Sequence, residues 1–275
     1  MPQLLDLHGP QWREWVLDNL ARQCTPQSMF ERMVADTWAE ADAAAALDEG
    51  LAALGQPADW RTPLPAIRVP PGSPVTVLAH LARPHAVLLG NLLSPEECQA
   101  LMAYALRKGL KASGVVDWTT GHSVQHGART SSSVFFTRAE TPLIDAVENR
   151  LATLTGWPVS HGEGLQILRY EPGQQYKPHH DWFDPARSGS ATHLQRGGQR
   201  VGTTVIYLAA AQAGGGTRFP KAGLEVAPPA GGAIFFRNLT LHGQPDDLSL
   251  HAGTPVEQGV KVVMTYWQRE RAFLA

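Results

Sequence analysis

The chain has 275 residues, 43% of them apolar and 17% charged, enough to build one large or two modest hydrophobic cores. Lys and Arg together number 23 against 25 for Asp and Glu, a formal net charge of −2 that argues against a phosphate-backbone binder. No run approaches the ~18 apolar residues of a membrane span, and the opening MPQLLDLHGPQWREW lacks the charged and apolar regions of a secretory signal. The two cysteines, Cys24 and Cys98, lie far apart and read as reduced, buried small hydrophobic residues. The expectation is a soluble, cytoplasmic protein with neither a nucleic-acid nor a membrane partner.

Residues 11–55 read as helical. Trp12, Trp15, Val16 and Leu20, then Met29, Phe30, Met33, Val34 and Ala41, recur at spacings of three and four. Thr25-Pro26 divides the run, with Thr as N-cap and Pro where no N–H is needed, and Gly55 closes it. Prolines at 57, 63, 65, 70, 71 and 74 then forbid a helix or central strand. The expected division is therefore an N-terminal helical extension (1–56), a Pro-rich linker or strap (57–84) and a main domain (85–275). Ala86–Gly90 reads as a strand, and Ser94-Pro-Glu-Glu97 as a capping box opening a helix through Leu106. A Gly/Ser/Thr-rich segment spans 112–133, and Thr141-Pro142 opens another helix. Short strands follow: Leu165–Tyr170, Thr203–Ala209, Ala233–Phe236, Leu248–His251 and Val260–Trp267. That run predicts a barrel or jelly roll with helices packed outside.

The chemistry concentrates in Tyr176-Lys-Pro-His-His-Asp-Trp-Phe183. His179 and Asp181, two apart, share one face of an extended strand, and His180 faces the other way. His251 stands 70 residues after Asp181, at the end of an apolar stretch. Two histidines and one carboxylate make the facial triad of non-haem Fe(II), with three positions left open; zinc would more often recruit cysteine or a third histidine. Lys261 sits in the apolar run Gly259–Trp267, where a buried ammonium needs an anion. Its ten-residue offset from His251 is what neighbouring antiparallel strands would give. The other histidines (8, 80, 85, 122, 126, 161, 193 and 242) read as loop-borne or structural.

Residues 86–270 resemble the catalytic domain of prolyl 4-hydroxylases, members of the Fe(II)- and 2-oxoglutarate-dependent dioxygenases. The resemblance rests on Leu93–Cys98, Arg129-Thr-Ser131, Gly162–Gln166, Tyr170, Tyr176 and the His179-x-Asp181 pair. It continues through Gly198-Gln-Arg200, Tyr207-Leu208, Gly214–Pro220, Ser249–Gly253, Lys261 and Trp267. It implies an α+β chain with a double-stranded β-helix (jelly roll) core and flanking helices. It also implies Fe(II) on His179, Asp181 and His251, 2-oxoglutarate held by Lys261 and Tyr170, O2 as oxidant, and ascorbate as an auxiliary reductant. Arg129, Ser131, Glu163, Tyr176, Arg200 and Trp267 match positions that face the substrate. The implied reaction hydroxylates a proline or proline-like carbon, peptidyl proline favoured, while 2-oxoglutarate is decarboxylated to succinate and CO2.

Two positions depart from the family pattern: Gly216 stands where an acidic residue is common, and Arg269 where a histidine often follows the strand tryptophan. Both bear on the substrate side. Alternatives therefore include the same chemistry on a non-proline small molecule or protein side chain. A non-catalytic jelly-roll module docking partners through its N-terminal helices is a further one. The expected partners are a peptide, protein or small-molecule substrate, with the chain a monomer or homodimer. The polar segment 184–198 reads as a lid, and 112–133 as the opposite wall of the groove.

Overall fold

Apolar runs without alternation signal strands covered on both faces, and the computed structural model shows where the two coverings come from. It describes residues 5, 9–56, 60, 64–116, 123–124, 127–240 and 243–273. The chain divides into two units, Met1–Pro63 with Leu241–Gly243, and Leu64–Thr240 with Gln244–Ala275. His8, His122, His126, His242, Pro57 and Pro63 lie outside the described residues.

Among its described residues the first unit has the helices α1 (Pro10–Ala21), α2 (Pro26–Ala35) and α3 (Glu40–Ala53). The Thr25 side chain accepts a hydrogen bond from Ser28 N, as the Thr-Pro signal predicts. The expected second helix is broken at Asp36–Ala39, where Thr37 takes a φ of 76°. Val16, Leu20, Phe30, Met33, Leu47 and Leu51 form the core of this unit, and the rings of Trp12 and Trp38 meet edge-on at 5.2 Å.

The second unit carries sixteen strands among its described residues. They begin with β1 (Thr76–Leu81), β2 (Ala86–Gly90), β3 (Lys111–Ala112), β4 (Val115–Val116), β5 (Ser123–Val124) and β6 (Ser132–Phe136). β7 (Gly162–Tyr170), β8 (Tyr176–His179), β9 (Arg200–Ala209), β10 (Ala213–Gly214) and β11 (Thr217–Phe219) follow. The last five are β12 (Leu224–Val226), β13 (Ala233–Arg237), β14 (His251–Gly253), β15 (Val256–Gln258) and β16 (Lys261–Arg269). A major sheet runs β1-β2-β13-β9-β16-β7-β6-β3, and a minor one β12-β11-β14-β8, with every pairing antiparallel. Two layers of strands closed on each other make the jelly-roll core.

Alternate residues of the central strands enter two different cores. Ile167, Ile206, Leu208, Phe235 and Met264 join the helix-side core with Leu101, Ile144, Val147 and Leu151. Those last four come from α4 (Pro95–Lys108) and α5 (Pro142–Thr155). Leu168, Val205, Tyr207, Ile234, Phe236 and Val263 join a second core with Phe219 of the minor sheet. The strand period of two thus sorts each run between helix side and barrel interior. Ser94 and Glu97 form the expected capping box of α4, and Glu97 also holds Arg150 bidentately at 2.7 and 2.8 Å. α5 is capped by Thr141.

Two expectations are corrected. The stretch expected as a strap to residue 84 contains β1, an exposed edge strand, because the prolines cease at 74 and an edge needs pairing on one side only. The strand expected at Leu248–His251 is a single 3₁₀ turn, Asp247–Ser249, followed by β14; Asp246 caps the turn through Leu248 N.

A bulge near the start of β7 sets the direction of a charged side chain. Tyr266 pairs with Leu165 but Gln268 with Gly162, so β7 carries one residue more than β16 across this interval. The extra residue is accommodated at Gly164, φ 90°, and it turns Glu163 toward the same side as Gln166. A Cβ at Gly164 would lie 2.5 Å from the Phe136 carbonyl oxygen. Gly164→Ala should therefore lower the stability of this unit by on the order of 2 kcal/mol in urea unfolding, and an unchanged midpoint would contradict the bulge.

Candidate metal centre and active site

β8 and β14 pair in the register that sets His179 directly opposite His251, with ring centroids 4.3 Å apart. Asp181 follows just beyond the end of β8 and turns in beneath them. Its Oδ1 lies 3.8 Å from His179 Nε2, and its Oδ2 lies 3.6 Å from His251 Nε2. The three ligand atoms fall within 4.8 Å of one another, which can hold one metal ion. In each histidine Nδ1 lies 2.9 Å from a carbonyl oxygen two residues earlier, Lys177 O and Ser249 O. With Nδ1–H donated there, Nε2 keeps its lone pair for a metal.

The electrostatics suit a cation. Burial alone would raise the Asp181 carboxyl, but His251, His179 and Arg200 outweigh it and bring its pKa down to about 2. Burial, then His251, holds the His179 imidazole well below its usual value, so it is neutral. Thr203 Oγ1 donates to Asp181 Oδ2 at 2.8 Å and accepts from Asn238 Nδ2 at 2.8 Å. Sequence reasoning missed both supports. No motif or spacing marks either of them in the sequence. His180 points elsewhere, 3.6 Å from Asp247, and takes no part in the cluster.

Lys261 begins β16 in the major sheet, whereas His251 lies in the minor sheet. The two are not on neighbouring strands as their spacing suggested; they face one cavity from opposite layers. That cavity, about 50 Å³, is lined by His179, Asp181, His251, Lys261, Tyr170 and Thr217 among others. Lys261 is 3% exposed. Its Nζ donates to Gly216 O at 3.3 Å and lies 5.4 and 5.1 Å from the rings of Tyr170 and Tyr207. Burial lowers its pKa to about 8, offset only partly by Glu225. A buried cation served by one neutral carbonyl has room for an anionic partner. Tyr207 and Thr217, whose hydroxyls meet at 2.8 Å, complete this end; no spacing or motif marks that pairing in advance.

Gly216, one of the departures, has its place filled from across the sheet. A Cβ there would meet the Glu225 carboxylate at 2.5 Å, and Glu225 is held by Thr254 at 3.0 Å and by Arg218. The carboxylate absent from position 216 is thus supplied by β12.

A cleft of about 890 Å³ opens over the triad. On its floor Arg200 grips Glu163 bidentately at 2.6 and 2.8 Å, and Arg269 adds a third bond at 2.9 Å. Burial pushes the Glu163 carboxyl up, yet Arg200 and Arg269 outweigh it and keep it ionised. Burial lowers Arg269 to about 10, still a cation at neutral pH. The Arg200 guanidinium lies 4.2 Å over the Trp267 ring. Tyr176 stacks on His179 at 3.5 Å, and Arg129 lies 4.8 Å from the Tyr176 ring. Of the expected substrate-facing residues, Arg129, Glu163, Tyr176, Arg200 and Trp267 line the cleft. Ser131 does not line it: it is buried and bonds Ser113 Oγ at 2.9 Å.

The segment expected as a lid carries the short helix α6 (Ser190–Gln195). Gln199 clasps Phe183 N and O, each at 2.7 Å, and the Phe183 ring stacks on His193. Ala112, Gly114 and Ala128 supply part of the facing wall; residues 117–122 and 125–126 of that segment lie outside the described residues.

Comparison with known proteins gives a consistent picture. A family model for the 2OG-Fe(II) oxygenase superfamily matches residues 165–269. Prolyl 4-hydroxylase 1 of Arabidopsis thaliana is 42% identical over 69% of this chain and 70% of its own length. Prolyl 4-hydroxylase 2 of the same plant is 34% identical over 68% and 67%. Among solved structures, a viral collagen prolyl hydroxylase from Paramecium bursaria Chlorella virus-1, in complex with 2-oxoglutarate, shares 27% identity. It superposes with a TM-score of 0.52 over 67% of this chain and 95% of the viral one.

Thr203→Val keeps the shape at position 203 but removes the bond to Asp181. It should weaken Fe(II) affinity by about 10- to 100-fold in an anaerobic titration, and undiminished affinity would remove Thr203 from the support of the carboxylate.

Proposed function

The chain belongs to the prolyl 4-hydroxylases of the 2OG-Fe(II) oxygenase superfamily, and from that membership we propose that it hydroxylates proline within a peptide or protein. It is an enzyme that uses Fe(II), 2-oxoglutarate and O2. The observation that carries the reading is the pairing of an open His179–Asp181–His251 cluster with the buried Lys261 ammonium across one cavity.

In this reading His179, Asp181 and His251 hold the iron, and Lys261 with Tyr170 holds the far carboxylate of 2-oxoglutarate. Bound iron supplies the oxidative chemistry, coupling decarboxylation of the keto acid to hydroxylation of the substrate. What the chain supplies is position and charge. Thr203 fixes the Asp181 carboxylate, and the Lys177 and Ser249 carbonyls fix the two imidazoles. Phe219 and Phe236 flank His251 at 5.9 and 4.7 Å and keep water from its buried side. Arg129, Tyr176, Arg200 and Trp267 present the substrate from the cleft, with Glu163 fixing Arg200 rather than meeting the substrate. Two unpaired cysteines, Cys98 buried as expected and Cys24 exposed against expectation, support a reducing, cytoplasmic setting. Among the described residues no helix is long and apolar enough to cross a membrane. Ascorbate enters the proposal only as the reductant such enzymes draw on.

Asp181→Ala should abolish hydroxylation of proline peptides and the accompanying 2-oxoglutarate turnover, measured by mass spectrometry and succinate release. Lys261→Ala should raise the KM for 2-oxoglutarate about 10- to 100-fold while the Fe(II) requirement moves far less, the scale of a lost charge-assisted bond. An unshifted KM would refute the role of Lys261. The pH dependence has a definite sign. The ammonium that binds the carboxylate is present below its pKa of about 8. Affinity of the iron-loaded enzyme for 2-oxoglutarate should therefore be level below that pH and fall by about tenfold per unit above it. A rise in affinity above pH 8 would contradict the assignment.

A further inference from the structure

The cleft has a charge that the chain as a whole does not. Overall the formal charge is −2. Yet Lys111, Arg129, Lys177, Arg196, Arg200 and Arg269 all line the cleft, against the carboxylates of Glu163 and Asp181. Asp181 is committed to the two histidines, and Glu163 is shared between Arg200 and Arg269, leaving that trio net positive. Lys108 reaches the cleft too but is already closed on Glu140 at 2.6 Å. Among the described residues the lining therefore keeps more cations than its carboxylates can answer. Gathering like charges costs stability unless something of opposite sign binds there.

Hydrogen bonding points the same way. Among the described residues that line the cleft, the buried polar atoms without a partner are Arg129 Nε, Trp267 Nε1 and Arg269 Nε. All three are N–H donors, so the missing partner is an acceptor.

We propose that the substrate is an acidic peptide, in which Asp or Glu residues close to the target proline lie against this basic lining. The proposal rests on the prolyl hydroxylase reading above and adds what surrounds the proline. A short acidic segment fits the cleft, where low-dielectric walls focus the field of the cationic lining, and competition by a single-stranded oligonucleotide is one outcome of the test. The charge also selects: a basic flank would set ammonium and guanidinium groups against Arg196 and Lys111, at a cost in affinity.

The test uses the full-length protein loaded anaerobically with Fe(II) and 2-oxoglutarate. Three short peptides differ only in their flanks, acidic, neutral or basic, and each is made with a central proline and with alanine in its place. Binding is read by fluorescence anisotropy, and hydroxylation by mass spectrometry after oxygen is admitted. The acidic peptides should bind about tenfold more tightly than the neutral ones at low salt, with the gap closing as ionic strength rises and the basic peptides weakest. In the double variant Lys111→Glu/Arg196→Glu, KM for the acidic proline peptide should rise about tenfold while kcat moves much less. Equal binding of all three flanks overturns the proposal, and so does a single-stranded oligonucleotide that outcompetes the acidic peptide. Tight binding of the acidic alanine peptide without hydroxylation of any proline peptide would keep the charge assignment and sink the proline reading. Hydroxylation that ignores the flanks would do the reverse.

Discussion

The register between β8 and β14 is the constraint on which the rest of the site depends. Pairing His179 with His251 across that ladder places both imidazoles on one face, and a slip of one residue would send one of them to the opposite face. Asp181 comes from just past the end of β8 and turns its carboxylate in to meet the pair. The carbonyls of Lys177 and Ser249, each two residues before its histidine, then fix the ring nitrogens. The metal centre is in this sense a property of backbone pairing, with side-chain chemistry added afterwards.

Burying charge is the second organising problem, and the barrel solves it in three ways. Asp181 stays ionised because it faces two imidazoles, a hydroxyl and Arg200. Glu163 stays ionised between two guanidiniums, one of them almost wholly buried. Lys261 has neither kind of help: it meets a carbonyl and two aromatic rings, and its pKa falls accordingly. Of these three buried charges, Lys261 is the one without a counter-charge in contact, which is what supports the proposal that its partner is the co-substrate. The cationic lining of the outer cleft poses the same problem, and an acidic substrate answers it.

Much of this was legible in the residues alone. The Ser94–Glu97 capping box and the Thr141-Pro142 start are local signals that act through neighbouring N–H groups, so they survive into the fold unchanged. The His179-x-Asp181 spacing, His251 and the odd lysine at 261 identified the site because each is costly in an apolar setting. What failed depended on distant pairing. Spacing alone suggested adjacent strands for His251 and Lys261, whereas the closure of two sheets sets them on facing layers. Ser131 looked substrate-facing by its motif, but its hydroxyl is spent on Ser113. The places of Thr203, Asn238 and Glu225 had no sequence mark, since each acts through a neighbour supplied by another strand. Arg269 was visible only as a departure; the bulges at Gly164 and near Arg200, which bring it to Glu163, were not.

In the proposed function one dicarboxylate bridges the two ends of the cavity, with His179, Asp181 and His251 at one end and Lys261 at the other. The most direct test is anaerobic titration of the Fe(II)-loaded protein with 2-keto diacids of four, five and six carbons and with the monoacid 2-oxobutanoate. The charge-transfer absorption of the chelate is the readout. Binding should be tightest for the five-carbon diacid in the native protein, and that preference should be lost in Lys261→Ala. A chelate band that forms equally with the monoacid, or a preference unchanged by the substitution, would contradict the spanning arrangement.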